Sequence, residues 1–78
     1  MICRDEILAV ARRLSRERTD GTFTAHEIVA AMRERGTHHL DTTIRRHVAT
    51  EMCSNAVGPK AGKYNDLERV GHGRFRLL

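Results

Sequence analysis

Thr42, Thr43, Arg45, Arg46, Ala49 and Thr50 lie in one short stretch whose side chains could read the edges of nucleic-acid bases. The stretch reads as a helix because Leu40, Ile44, Val48 and Met52 recur four apart and define a buried stripe. At about 100° per residue, Thr42, Arg46, Ala49 and Thr50 point roughly opposite that stripe, with Thr43 and Arg45 on its flanks. Arginine can donate two hydrogen bonds to guanine O6 and N7. Threonine can bond a base edge or set its methyl against that of thymine, and alanine can do the latter. A 5-methylcytosine offers a similar methyl group. Downstream, Leu67-Glu-Arg-Val-Gly-His-Gly-Arg-Phe-Arg-Leu77 places Arg69, His72, Arg74 and Arg76 around a glycine turn, where they could touch phosphates or a minor groove. The bland alternative is an amphipathic helix with ordinary surface charges and an edge strand guarded by them. The two segments together favour groove contact.

Other reactive groupings are weaker. His38, His39, His47 and Cys53 suggest a metal, but zinc sites need three or four convergent ligands, usually at CxxC or HxxxH spacing. His39 and His47 are eight apart, so surface or half-buried histidines are the better reading. His39 lies in the turn before the reading helix, within reach of a phosphate. Cys53 is expected to be packed and Asn55 to bond backbone at the helix end. No Ser/His/Asp set, carboxylate pair or phosphate-cradling glycine loop stands out. The chain is therefore expected not to be an enzyme and to need no cofactor and no metal.

The chain has 78 residues, and one domain of that size buries only about 60% of the surface its unfolded form exposes. With no Trp, one Tyr and two Phe, aliphatic side chains must supply most of the core. The formal charge is +4 and the pI about 9.8, which suits a polyanionic partner. Residues 1–39 carry seven basic and six acidic residues, and residues 40–78 seven and four, so the excess lies with the reading segment. Lys60 and Lys63 add cations to the loop between the third helix and the hairpin. Two cysteines without a CxxC pair, no apolar leader and no run long enough for a membrane span give the expectation of a cytoplasmic chain with reduced thiols.

The positioning elements follow from spacing. A first helix is expected over residues 4–16, with Ile7, Leu8, Ala11 and Leu14 inward, Cys3 as a weak N-cap and Ile2 against Ile7 as a staple. Asp20-Gly21 marks a turn, and residues 22–24 suit one short strand. Thr24 caps a second helix with Glu27 as its reciprocal partner and Phe23 against Ile28, and Gly36 ends it. Residues 37–40 form a turn, and Asp41 is the expected N-cap of the third helix. The final strands turn at Gly71-His72-Gly73, with Phe75 and Leu77 alternating with Arg74 and Arg76. Leu67 and Val70, three apart, call for a bulge or a late strand start. One core is expected to hold Ile7, Leu8, Leu14, Phe23, Ile28, Met32, Ile44, Val48, Met52, Val70, Phe75 and Leu77.

This order of elements resembles the winged helix-turn-helix DNA-binding superfamily. Thr43-Ile-Arg-Arg-His-Val48, leading into Met52-Cys-Ser-Asn-Ala56, and Asp66-Leu-Glu-Arg-Val-Gly-His-Gly-Arg-Phe-Arg-Leu77 are similar to a small bacterial winged-helix module also found fused to restriction-type nuclease domains. The resemblance implies an α+β fold over residues 1–78, with three helices and a small antiparallel sheet ending in a hairpin wing. It implies a double-stranded DNA partner, the third helix in the major groove and the wing on backbone or minor groove. The role implied is the sequence or modified-base specificity module of a restriction-type system with a fused or associated nuclease, or a small transcription regulator. Monomer or weak dimer is the expected state, with no membrane partner. The alternative function is a protein-interaction winged helix without DNA binding. Such a domain usually exposes apolar residues where this helix has Thr, Arg and Ala.

Overall fold

Cys3, Ile7, Val10, Ala11 and Leu14 recur at helical spacing and form the buried stripe of the first helix, α1 (Cys3–Glu17). The computed structural model describes residues 2–58 and 61–78. The start of α1 differs from the sequence expectation. Ile2, not Cys3, is the N-cap, and no side chain bonds the first turn. Cys3 behaves as a small apolar residue inside the helix, buried in the core. Ile2 is 63% exposed, so no staple forms with Ile7. Arg4 compensates by clamping this end of the helix to Asp66, with bonds of 2.8 and 2.9 Å.

The next elements follow their local signals closely. Asp20 accepts bonds from the N–H and hydroxyl of Thr22 across Gly21, whose φ of 70° suits glycine. Strand β1 (Thr22–Thr24) leads directly into α2 (Ala25–Glu34). Thr24 accepts from the Glu27 N–H at 3.1 Å, and the Glu27 carboxylate accepts from the Thr24 N–H at 2.8 Å. This is the expected capping box, and both Phe23 and Ile28 beside it are fully buried. Helix α2 ends at Gly36, φ 76°, where Thr37 N–H reaches the Met32 carbonyl and Gly36 N–H that of Arg33.

Thr24→Ala is expected to cost about 0.5–2 kcal/mol in urea denaturation. The box also links stability to acid. Burial pushes the Glu27 carboxyl up, but bonds from the Thr24 N–H and the Arg18 guanidinium outweigh it, leaving it below the ordinary carboxylate value. A lowered folded value means that this stabilisation is present above the unfolded pKa and is lost as pH falls through the folded one. Glu27→Ala removes the carboxylate, so its penalty is expected to shrink in acid, and a penalty independent of pH would contradict the linkage.

The third helix is not one continuous α-helix. It runs as α3 (Asp41–Arg46) and then widens into a π-helical turn, His47–Glu51, closed by Met52 N–H on the His47 carbonyl at 2.9 Å. Leu40, not Asp41, is the N-cap, in extended conformation with φ −75° and ψ 148°. Its side chain thereby leaves the helical stripe and is 68% exposed, whereas Ile44, Val48 and Met52 are fully buried. The carbonyls left free at the helix end meet the following loop. Thr50, Glu51 and Met52 accept from the N–H groups of Gly62, Tyr64 and both Asp66 and Leu67.

Strands β2 (Leu67–Gly71) and β3 (Arg74–Leu77) complete an antiparallel sheet in the order β1-β3-β2. The register sets Phe23 opposite Phe75 and Leu67 opposite Leu77. Phe23, Phe75 and Leu67 are buried, and Leu77 and Leu8 pack half-buried against the same core. The expected bulge is present between Arg69 and Gly71, but it turns Val70 outward. Val70, the residue skipped by the register shift, is 44% exposed. The result is an α+β domain of three helices and a small open sheet.

Candidate nucleic-acid interface

The solvent face of the third helix carries Thr42, Arg45, Arg46 and Ala49, all exposed. Thr43 and Thr50 are half-buried, and both have backbone duties. The Thr43 carbonyl accepts from His47 Nδ1 at 2.9 Å, and the Thr50 carbonyl from Gly62 N–H at 3.1 Å. Ile44, Val48 and Met52 anchor the opposite side in the core, so the exposed face is held by packing rather than by the cap.

Arg33, unremarked in the sequence, sets where this helix begins. Its guanidinium donates to Asp41 at 2.9 and 2.5 Å, to the Thr37 carbonyl at 3.2 Å and to the His39 carbonyl at 2.6 Å. Those bonds close the turn between α2 and α3 and neutralise the one carboxylate at the start of the helix. A basic residue in the last turn of a helix reads from sequence as a partner for the dipole. Nothing local announces contacts up to eight residues ahead.

His39 is half-buried and held by Glu6 at 2.9 Å. His47 lies 3.3 Å from the Glu51 carboxylate. These are separate contacts. No group of three or more His, Cys, Asp or Glu side chains among the described residues is placed to hold a metal. Burial, with the carboxylate of Glu6 nearby, raises the Cys3 thiol above its ordinary value, Arg46 opposing and Glu51 adding.

The hairpin supplies the second set. Arg69, His72, Arg74 and Arg76 are all exposed. Arg74 donates to the Thr22 hydroxyl at 3.2 Å, which in turn donates to Asp20, so that carboxylate lies within reach of the Arg74 charge without a direct ion pair. Arg76 is different, because it reaches Glu68 across the strands at 2.6 Å. Its charge is already answered. Lys63 is exposed and lies 5.4 Å from the centre of the Tyr64 ring, which Arg4 approaches to 4.3 Å. Lys60 lies outside the described residues. Helix and hairpin are joined by backbone: Leu67 N–H bonds the Met52 carbonyl at 2.9 Å, and Ser54 N–H bonds the Leu67 carbonyl at 2.8 Å. Asn55 does not bond the helix end as expected. Its carboxamide bonds the backbone of Arg69, fourteen residues on.

The charge balance of residues 40–78 follows from these contacts. Asp41 is held by Arg33, Glu51 by His47, Asp66 by Arg4 and Glu68 by Arg76. Arg45, Arg46, Arg69 and Arg74 have no carboxylate partner among the described residues. With Lys63 on the loop between them, the third helix and the hairpin carry the unpaired positive charge of this half among the described residues. Among the described residues, no helix is long and apolar enough to cross a membrane.

No curated protein and no solved structure matches the chain. The model of one family, described as a domain of unknown function, DUF7669, matches residues 4–77, and the chain belongs to that family.

Proposed function

We propose that this domain binds double-stranded DNA as a winged helix-turn-helix, without catalysis of its own. The exposed face of α3 and its π-turn enters the major groove, and the β2–β3 hairpin lies on phosphates or in the adjacent minor groove. The observation that carries the reading is the charge distribution. The carboxylates of the second half are paired, while Arg45, Arg46, Arg69 and Arg74 have no carboxylate within ion-pair distance among the described residues. The element order and the strand order β1-β3-β2 are compatible with the winged-helix layout. The polar face of Thr42, Arg45, Arg46 and Ala49 weighs for nucleic acid over an apolar protein partner. Stacking of single-stranded bases is poorly served by one Tyr and two Phe. In this reading the domain is the recognition part of a restriction-type system or a small regulator.

Titration with a duplex at two salt concentrations tests the proposal. Affinity is expected to fall steeply with salt, as released counterions require, and binding indifferent to salt would refute phosphate contact. Arg74→Ala is expected to weaken all sequences almost equally and to lower the slope of log affinity against log salt by about one unit. A sequence-dependent loss with unchanged slope would instead make the hairpin a base reader, through a narrow minor groove.

A further inference from the structure

We propose that Asn55 is a positioning residue that fixes Arg69 for phosphate contact and joins the helix end to the hairpin as one binding unit. The inference rests on the DNA-binding reading. The chain leaving the π-turn pairs with the start of β2 in parallel: Leu67 N–H to the Met52 carbonyl, then Ser54 N–H to the Leu67 carbonyl. The next rung would need the Ser54 carbonyl and the Ala56 N–H to face Arg69. The backbone has turned away by then, and Ala56 N–H is spent on the Cys53 carbonyl at 3.3 Å.

The Asn55 side chain supplies that missing rung. Its Oδ1 accepts from Arg69 N–H at 2.9 Å, and its Nδ2 donates to the Arg69 carbonyl at 3.0 Å. A carboxamide has an acceptor and a donor arranged as in a peptide group, which a carboxylate or a hydroxyl does not. The buried Cys53 thiol donates to the same Oδ1 at 3.1 Å, fixing the orientation of the amide.

The position matters because β2 is an edge strand and Arg69 directly precedes the bulge from which the hairpin tip departs. Asn55 occupies the outer edge at Arg69, where another strand could otherwise add. It also sets the exposed Arg69 at a fixed distance from the end of the helix. Without it, only the pairing with β3 holds Arg69, and its placement relative to the helix end must be fixed on binding, at a cost to affinity.

A double-mutant cycle on a random-sequence duplex at two salt concentrations tests the assignment. Asn55→Ala alone is expected to weaken binding roughly three- to tenfold. It should also lower the salt slope by about one unit, as Arg69→Ala does. In the Arg69→Ala background it should have less than about a twofold further effect. Additive losses, or a full loss with unchanged slope, would make Asn55 a fold staple only and overturn the proposal. Asn55→Ser, whose hydroxyl can serve one of the two backbone groups, gives the same comparison at a smaller expected loss if the alanine variant does not fold. A wild-type protein with no salt-dependent duplex binding would refute the DNA reading itself, and that outcome is read before the cycle begins.

Discussion

Ile44→Ala lowers the free energy of unfolding by about 2–5 kcal/mol, the range for removing a buried branched side chain and leaving a cavity. Domains have about 5–15 kcal/mol in all, so the variant is expected to be partly unfolded at 37 °C. Ile44 is fully buried and belongs to the cluster formed by α1, α2, the sheet and the third helix. It is also the only buried residue in the six-residue segment Asp41–Arg46, so nothing else in that segment can hold it against the core. Leu40→Ala is the control. The regular four-residue spacing makes the two positions look equivalent, but Leu40 is 68% exposed, and its loss should stay within about 0.5 kcal/mol. Equal losses for the two variants in urea denaturation would contradict the placement of the helix start.

If the domain binds DNA as proposed, Arg46→Ala is expected to weaken binding to a preferred duplex by about 1–3 kcal/mol and to flatten the preference at one base position. Arg46 is exposed on the face opposite Ile44 and Val48 and has no carboxylate partner among the described residues. Thr42 and Ala49 flank it on that face, where their methyl groups suit a pyrimidine methyl. Arg76→Ala should have a much smaller effect, because Glu68 already answers its charge. Equal affinity of wild type and Arg46→Ala for preferred and scrambled duplexes would remove Arg46 from the base-reading set.

Features written in neighbouring residues were legible in the sequence. The Thr24–Glu27 box, the Asp20-Gly21 turn and the Gly36 helix end each close hydrogen bonds within about five residues, so residue type alone announces them. The buried series Ile44, Val48 and Met52 was legible from periodicity, and the bulge near Val70 from its interruption. What spacing could not reveal is what the chain does at the ends of its elements. Leu40 fits the apolar period, but its extended backbone turns it out of the stripe. Val70 fits a strand face, but the bulge turns it outward. Cys3 reads as a poor cap because nothing local says that Asp66 will secure that end through Arg4.

The site was legible to the same degree. Exposure of Thr42, Arg45, Arg46 and Ala49 followed from periodicity. The difference between an Arg74 without a direct ion pair and a paired Arg76 depends on cross-strand register, and register is set by Phe23, Phe75, Leu67 and Leu77 entering one core. Arg33 escaped because its partners lie up to eight residues ahead, and Asn55 was expected to bond backbone at the helix end but bonds that of Arg69, fourteen residues on.

In the proposed function, the outer face of the third helix and the hairpin together meet duplex DNA. Backbone amide shift mapping during titration with a short duplex tests it most directly. The perturbed amides are expected to cluster at residues 41–50 and 69–76, while those around the exposed Arg12 and Arg16 of α1 stay unmoved. A saturable perturbation centred on α1, or none at all at saturating duplex, would contradict it.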